Sequence, residues 1–471
     1  MATLSTSRFV KQLANWVTAI TILINIYLYT YPSFNSERCS WATTEVKTGS
    51  LTNWESLVLQ IPYFGDIFQQ YFLDESKLED NSDDIKILAL GDPQINGNWP
   101  NTPYIKRLDN FGNDYYLGHI YRTMKRRLLP SHVAVMGDLF SSQWISDSEY
   151  YNRTRRYMTR LFPQPEQHTL DAMNFVDKHE DVDWRTFYGW MNGNLNDGSF
   201  LKEEEYAYYD IYDWTKPRIE GQPLFINITG NHDVGYGDTT YQHLARYRKL
   251  FGKDNYFIEY DNNTDHPWRI VVLNSLALDG PLLQPEFQTY TWQFVEMLSK
   301  QKYPGQTILM THIPFYKREG LCIDGPFVEY FTEENALEDY RIGLLKSENH
   351  LQYETSQKVL NAVFQSGKPG IVLTGHDHEG CENFYSKDEN NVWVADKSVK
   401  NKNFYIKEAT VRAMMGDFDG HAGIMTGHLN KSTGLWEWNY SSCPFSVQHV
   451  WWVGHVGIAL SILLQSIGFL I

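Results

Sequence analysis

Short apolar runs, each ended by polar residues, recur along the middle of the chain. Six of them have the length and composition of buried strands; they lie at 85–90, 133–136, 224–229, 269–274, 307–310 and 370–374. Between several runs, apolar residues recur three and four positions apart, which predicts helices at 115–129, 241–251 and 288–300. Strands that alternate with helices predict an α/β fold with a largely parallel or mixed sheet covered on both faces.

Two longer apolar segments lie near the ends of the chain, at 13–31 and 450–471. At about 1.5 Å per helical residue, each is long enough to cross a hydrocarbon core of ~30 Å. Arg8 and Lys11 precede the first segment, which predicts that residues 1–12 are cytosolic and residues 32–449 luminal. Two retained transmembrane helices are favoured. The alternatives are a cleaved signal peptide for the first segment and a lipid-anchor attachment signal at Ser441 or Ser442 for the second.

The part between these segments divides by composition. Residues 32–80 are predicted to be a membrane-proximal connector, with helical periodicity at 54–73, and residues 81–446 a luminal domain. Within that domain, residues 144–221 interrupt the alternation of strands and helices and are rich in Tyr, Trp and Arg. This insertion is expected to form a cap or wall beside the site, or else a peripheral decoration.

Asparagine and cysteine residues bear on the luminal prediction. Five N-x-Ser/Thr sequons favour a secretory compartment; they begin at Asn152, Asn227, Asn262, Asn430 and Asn439. Asn227 falls within a predicted strand, so we expect it to be buried and unmodified.

The four cysteines permit three pairings in an oxidising lumen. Cys322 and Cys381 each follow a histidine motif, and their pairing is favoured. Cys39 and Cys443 each lie just inside an apolar segment. Free buried thiols remain an alternative.

Composition narrows the class of protein. A hydrophobic content of 42% and an aromatic content of 15% are sufficient for a packed core. The net charge of −16 argues against a nucleic-acid partner, which would require a basic face.

Polar side chains follow five of the six predicted strands. In chain order they are Asp92 and Gln94, Asp138, Asn231 and His232, His312, and His376 and His378. In such sheets, ligands bind beyond the carboxyl ends of the strands. Carboxylates, imidazoles and amide oxygens suit Mn, Fe or Zn ions, and the lack of cysteine argues against a structural zinc site. A carboxylate flanked by ligands for two ions predicts a two-metal site, a type that supports displacement at phosphorus.

The series Gly-Asp-x-Gln at 91–94, Gly-Asp at 137–138, Gly-Asn-His-Asp at 230–233, His312 and Gly-His-x-His at 375–378 resembles the calcineurin-like metallophosphoesterase superfamily. The resemblance covers residues 85–380 and extends towards 430. It implies a β-sandwich of mixed sheets flanked by helices, here with two flanking transmembrane helices. The apolar end segments and the sequences at 311–316 and 375–381 are similar to one branch, and in particular to a fungal member of it. That branch comprises the endoplasmic-reticulum phosphodiesterases that remove ethanolamine phosphate from glycosylphosphatidylinositol (GPI) anchors.

The resemblance implies a role for each residue of the series. Asp138 would bridge two divalent ions. The first ion would be held by Asp92 and His378 with Gln94, and the second by Asn231, His312 and His376. His232 would be the general acid, oriented by Asp233.

Two positions depart from the family's pattern. Gln94 stands where the superfamily usually has His, and Ser141 where it usually has Asp. Because a neutral amide is a weaker ligand than imidazole, the first ion is expected to bind loosely or to be a hard one. Mn²⁺ is therefore favoured, with Zn²⁺ or Fe²⁺ as alternatives. Ser141 is expected to support its loop and not the metal.

Three further residues are weaker candidates. Arg318 and Asp324 are placed to meet an ethanolamine or phosphate group. His421 is expected either to touch the substrate or a ligand, or simply to form a turn between late strands at 404–411 and 423–429.

The resemblance also implies partners and a location. The substrate would be the GPI glycolipid or a GPI-anchored protein. The protein would lie in the endoplasmic-reticulum membrane, with the Golgi as the alternative. The membrane and p24-type cargo receptors would be further partners. Two other functions stay open: hydrolysis of another membrane-linked phosphoester, or non-catalytic sorting of GPI-anchored cargo.

Overall fold

The structure is a computed structural model, and it describes residues 2–42, 49–77, 84–99, 101–163, 171, 182–195, 201–209, 211–215, 223–399 and 404–470. The helices are α1 (Ala2–Thr30), α2 (Asn53–Leu59), α3 (Phe64–Tyr71), α4 (Tyr104–Leu128), α5 (Asp147–Arg156), α6 (Trp184–Leu195), α7 (Asn231–Val234), α8 (Tyr241–Phe251), α9 (Pro285–Gln301), α10 (Tyr353–Val363) and α11 (Gln448–Leu470). The short helix α7 carries the Gly-Asn-His-Asp motif.

Within the described residues, fifteen strands form two mixed sheets and a small two-stranded ribbon. They are β1 (Ile85–Leu90), β2 (His132–Val135), β3 (Ala207–Tyr209), β4 (Leu224–Asn227), β5 (Tyr256–Tyr260), β6 (Trp268–Val272), β7 (Gln306–Met310), β8 (Val328–Tyr330), β9 (Leu345–Glu348), β10 (Gly370–Thr374), β11 (Cys381–Lys387), β12 (Trp393–Asp396), β13 (Ile406–Thr410), β14 (His421–Asn430) and β15 (Leu435–Pro444). The first sheet has the order β15-β14-β1-β2-β4 and the second β12-β11-β13-β10-β7-β6-β5-β3.

Side chains alternate across the central strands and build two apolar layers. On β1, Ile85 and Ile87 belong to a buried cluster that also holds Ile308 and Ile371 of the second sheet. Leu88 of the same strand faces the opposite way, into a cluster made with the helices. The two sheets therefore pack face to face, and helices cover only their outer faces. This confirms the mixed β-sandwich and corrects the prediction of one sheet with helices on both faces.

Strand direction brings the predicted polar residues to one edge. Strand β2 runs parallel to β1 and β4, and β7 runs parallel to β6 and β10. The carboxyl ends of β1, β2 and β4 in one sheet thus meet those of β7 and β10 in the other.

Several predicted elements have different ends in the structure. The helix predicted at 115–129 begins eleven residues earlier, at Tyr104. The prediction missed its first half, whose apolar residues Ile105, Leu108 and Phe111 are exposed. The periodicity at 54–73 is split into α2 and α3, which are separated at Pro62, a residue without an N–H to continue a helix. Asn227 lies on β4 and is half-buried, and its side chain accepts a hydrogen bond from Tyr157.

The terminal helices α1 and α11 pack against each other. A Cβ on Gly454 would lie 2.7 Å from Cδ1 of Leu28, so glycine permits this close approach. Ser461 Oγ of α11 lies 3.3 Å from Thr21 Oγ1 of α1. Among the described residues, two spans are long and apolar enough to cross a membrane, Ser7–Asn35 and Gln448–Leu470. A disulfide between Cys39 and Cys443 joins the segment after α1 to the end of β15.

Candidate metal centre

The loops that carry the candidate ligands hold unusual backbone conformations. Four non-glycine residues of the site have positive φ: Asp92 (38°), Gln94 (41°), Asp138 (49°) and His376 (74°). Each such residue costs roughly 1–3 kcal/mol, which surrounding contacts must offset. The strain is thus concentrated where the polar side chains converge, as is typical of functional sites.

The first residue of the Gly-Asn-His-Asp motif is glycine for a steric reason. A Cβ on Gly230 would lie 2.0 Å from the backbone nitrogen of Asp138, so a side chain there would push the two loops apart. With glycine, the backbone N–H of His232 approaches Asp138 and donates to its Oδ1 at 2.8 Å. The motif therefore couples the loop after β4 to the carboxylate after β2.

On one side of Asp138 lie Asn231, His312 and His376, which we call the Asn231 side. His312 is fully buried, and its Nδ1 lies 2.7 Å from the carbonyl oxygen of Met136. Only an N–H can donate there, so the tautomer that fits is the one with its lone pair on Nε2. That lone pair faces Asn231 Oδ1 at 3.0 Å and Asp138 Oδ1 at 3.4 Å.

His376 repeats this arrangement with its ring nitrogens exchanged. Its Nε2 lies 3.0 Å from the carbonyl oxygen of Glu348 and donates to it, while Nδ1 faces Asn231 Oδ1 at 3.1 Å. Burial, reinforced by nearby His312, lowers the pKa of His376 to about 3, so the ring is neutral. Two imidazole nitrogens, one amide oxygen and one carboxylate oxygen therefore converge. This donor set fits a divalent cation.

On the other side lie Asp92, Gln94 and His378, which we call the Asp92 side. One ligand atom from each of Asp92, Asp138 and His378 lies within 4.8 Å of the other two, a spacing that can hold a metal ion. His378 Nε2 is 3.4 Å from Asp92 Oδ2, and the His378 side chain is 26% exposed. Asp92 Oδ2 also accepts the backbone N–H of His376 at 3.0 Å, which links the two sides.

The structure revises the role expected of Gln94. Its Nε2 donates to Asp138 Oδ2 at 3.1 Å and faces His378 Nε2 at 3.2 Å. The amide nitrogen, and not the oxygen, thus points into the centre. In this arrangement Gln94 holds the shared carboxylate as a hydrogen-bond donor; a half-turn of its amide would present the oxygen instead, so its role as a ligand stays a prediction.

The role expected of Asp233 also changes. Oδ2 of this buried residue accepts the backbone N–H groups of Gly230 (2.9 Å) and Leu139 (3.2 Å), and Oδ1 accepts that of Phe140 (3.1 Å). Both oxygens are therefore used to clamp the loop after β2 to the loop after β4. Asp233 positions these loops, and the expected contact that orients His232 is not made.

His232 stands at the rim of the centre. Its side chain is 41% exposed, and its Nε2 lies 3.8 Å from Asp138 Oδ2. A proton carried by this ring is thus next to the metal-type ligands and open to an incoming substrate.

Some residues that support the centre were not singled out by the sequence. Arg153 of α5 is buried and donates through Nη1 to the carbonyl oxygen of Ile95 (3.1 Å) and to Ser141 Oγ (3.0 Å). It thereby ties together the loops after β1 and β2, and Ser141 serves the loop. The first part of the 144–221 insertion therefore supports the site. Its residues 164–170, 172–181, 196–200, 210 and 216–221 lie outside the described residues.

Backbone carbonyls orient both histidines of the Asn231 side. The Tyr236 hydroxyl also donates to the Glu348 carbonyl, at 3.2 Å. No sequence signal could have revealed Met136 or Glu348 in this role, because every residue has a carbonyl. Tyr236, four residues after His232, is the one member with a distinctive side chain.

The two weaker candidates that follow His312, Arg318 and Asp324, lie in different environments. Arg318 is exposed, and no described contact links it to the centre. Asp324 is half-buried, and its charge adds to burial in raising the pKa of Asp377, the residue between the two histidines of the Gly-His-x-His motif. A disulfide between Cys322 and Cys381 fastens this loop to the segment that follows His378.

His421 lies outside the metal centre. It is buried at the start of β14, and its Nδ1 lies 3.0 Å from Ser442 Oγ. It lines a separate cavity at the ends of α1 and α11. The prediction that it contacts a metal ligand receives no support from the structure.

These observations define a metal-dependent phosphoester hydrolase, and residues 85–380, more than half of the chain, match the calcineurin-like phosphoesterase family. The chain belongs to this family. It is 49% identical to Protein TED1 of Saccharomyces cerevisiae over 97% of this chain and 98% of that protein. It is also 21% identical to Metallophosphoesterase 1 of Danio rerio, over 69% of this chain and 71% of that protein.

Proposed function

We propose that this chain is a membrane phosphodiesterase that removes ethanolamine phosphate from a mannose of GPI anchors. The residues at 81–446 would form the luminal domain, and the helices at 13–31 and 450–471 would cross the endoplasmic-reticulum membrane. Removal of this group would precede exit of GPI-anchored proteins, the step at which p24-type cargo receptors would act.

One observation carries the reaction class: ligand atoms of the kind that hold divalent ions converge on both sides of Asp138. The Asn231 side and the Asp92 side would each hold one ion, Mn²⁺ being favoured. Two divalent ions neutralise charge at a phosphoryl group and activate a water molecule when bound.

His232 is the residue placed to move a proton. Water adds to phosphorus and releases one proton to solvent, the P–O bond to the mannose oxygen breaks, and that oxygen takes a proton from the His232 imidazolium. Solvent then returns a proton to His232. The exposed ring beside Asp138 supports this role. A positioned general acid contributes typically ~10²–10⁴-fold to the rate.

Asp324 and Asp377 provide a physical reason for an ethanolamine group. Asp377 is the middle residue of the Gly-His-x-His motif, and burial together with the charge of Asp324 raises its pKa, although Lys317 opposes this shift. An ammonium group attached to the reacting phosphate would offset this accumulation of negative charge.

The two apolar helices support a lipid-linked substrate. An enzyme held in the membrane searches for such a substrate in two dimensions, and its domain stays close to the membrane surface. A soluble phosphodiester would draw no benefit from this arrangement.

The decisive experiment is mass spectrometry of GPI glycans in cells that lack the protein and carry either the wild type or His232→Ala. Wild type should remove one ethanolamine phosphate, and His232→Ala should slow its removal by roughly 10²–10⁴-fold with the metal content unchanged. His428→Ala is a matched control, because its side chain is 42% exposed and pairs with Asp84 away from the centre. Full restoration by His232→Ala would refute the proposed acid.

Asp324→Asn tests the substrate class. It should raise KM for an ethanolamine-phosphate diester by about 3- to 10-fold, as expected for the loss of one partly exposed charge contact. The KM for a methyl phosphate diester of the same alcohol should stay unchanged. An equal change for both diesters would argue for hydrolysis of another membrane-linked phosphoester.

A further inference from the structure

A cavity of about 400 Å³ lies where the two terminal helices meet the sandwich. Tyr27 of α1 and Val450 of α11 contribute to its wall, together with Pro444 at the end of β15. We call it the junction cavity. Because apolar helices end beside it, it stands at the level where the headgroups of a bilayer would lie.

Two arginines of the junction cavity have donors to spare. Arg38 is exposed, and its guanidinium makes no hydrogen bond or ion pair with any described residue. Arg412 donates through Nη2 to Glu379 Oε2 at 2.9 Å, which leaves other N–H groups of its guanidinium for a ligand. A guanidinium presents five N–H groups in a fork that matches phosphate oxygens.

The remaining lining favours a headgroup over a bare anion. Asp419 brings a carboxylate, and Tyr27 and Tyr31 bring aromatic rings with hydroxyl groups. Burial and the charge of Arg412 lower the pKa of His421 to about 4, so this ring adds no charge near neutral pH. Phosphate-binding arginines next to a carboxylate and phenols suit a phosphate that carries hydroxyl or amino substituents.

We infer that the junction cavity binds the phosphodiester headgroup of a membrane lipid, whose acyl chains lie beside α1 and α11. The inference is independent of the GPI substrate and rests only on the proposed placement of these two helices in a membrane.

The bound headgroup would lie one chain segment away from the metal centre. Phe418, next to Asp419, packs edge-on against His378 with ring centroids 4.7 Å apart. Ala413, next to Arg412, donates its N–H to the His378 carbonyl at 3.1 Å. A lipid on Arg412 and Asp419 would therefore brace the segment 412–419 that backs His378.

The test uses the full chain in micelles of a neutral glycoside detergent, with binding measured by calorimetry. The probes are dihexanoyl phosphatidylinositol, dihexanoylglycerol and inorganic phosphate. The quantity compared is the part of binding that Arg38→Gln removes, because phosphate groups also have access to the metal centre. Arg126→Gln, an exposed arginine on α4 outside the cavity, is the control.

We expect Arg38→Gln to weaken phosphatidylinositol binding at least about tenfold, as for the loss of a charge-assisted contact, while Arg126→Gln has no effect. Equal affinity in both variants overturns the inference. So does equal binding of dihexanoylglycerol, which would mean that the phosphate is not recognised. Inorganic phosphate that binds as tightly as the lipid, and depends equally on Arg38, would make this a site for free phosphate.

A replacement variant and two further measurements complete the test. If Arg38→Gln does not fold, Arg412→Gln replaces it, and the part of phosphatidylinositol binding that this variant removes decides. Release of the wild type from membranes by alkaline carbonate would overturn the inference through its premise. Loss of GPI processing in His232→Ala with lipid binding intact would separate this site from the proposed activity.

Discussion

The two sides of the metal centre share Asp138 but are built differently. On the Asn231 side, both imidazoles are held by backbone carbonyls, and the side chain of His312 is 0% exposed. On the Asp92 side, the His378 side chain is 26% exposed, and Gln94 offers a donor where a ligand atom was expected.

The difference concerns preorganisation. A carbonyl that accepts one ring N–H fixes both the rotamer and the tautomer of a histidine, so its free nitrogen is ready for a metal. His378 instead has a carboxylate partner and stands partly in solvent. We therefore expect the Asn231 side to bind its ion tightly and the Asp92 side to exchange its ion.

Alanine substitutions of one histidine on each side should show the largest difference between the two sides. Loss of a group that merely orients a ligand costs roughly 10- to 100-fold in affinity or activity, so loss of a ligand should cost at least as much. We expect His312→Ala to abolish activity at any Mn²⁺ concentration, and His378→Ala to recover part of it at millimolar Mn²⁺. Metal analysis and activity against added Mn²⁺ measure both. Recovery in His312→Ala alone would reverse the proposed order.

A pH titration should separate the two sides without mutation. Burial opposes charge on His378, but the hydrogen bond and charge of Asp92 outweigh it, so its pKa is raised. Since the protonated ring cannot bind a metal, acidification favours the proton over the ion at His378. The pKa of His376 is lowered to about 3, so its ring stays neutral over the same range. Below neutral pH, one Mn²⁺ should leave before the other, as followed by electron paramagnetic resonance. Simultaneous release would show that the sides are equivalent.

The smallest effect is expected at Gln94. Gln94→His restores the residue usual in the superfamily and would add an imidazole to the Asp92 side, which should tighten the weaker ion by about tenfold. Gln94→Leu removes the donor to Asp138 and should change the affinity less. Metal titration of the three proteins gives the comparison, and an unchanged constant for Gln94→His would place this residue outside the reach of the ion.

The sequence was informative about which residues form the centre because each candidate follows a buried strand. The strands at 85–90 and 370–374 have the predicted ends. Parallel pairing then brings polar residues from distant positions to one edge. The sequence was less informative about α4, whose first half exposes its apolar residues and was not predicted, and about Asp233, whose carboxylate can cap a loop as well as orient a ring.

By itself, the sequence determined the reaction class, the order of the ligands and the two apolar ends, because residue type and alternation are local properties. Only the tertiary structure decided which nitrogen of each histidine is free, that Gln94 turns its nitrogen inward, and that Arg153 of the insertion holds the loops. Those outcomes depend on carbonyls and side chains that are remote in the chain and carry no motif. The junction cavity has the same origin, since Arg38 and Arg412 line one cavity only because the fold brings distant parts of the chain together.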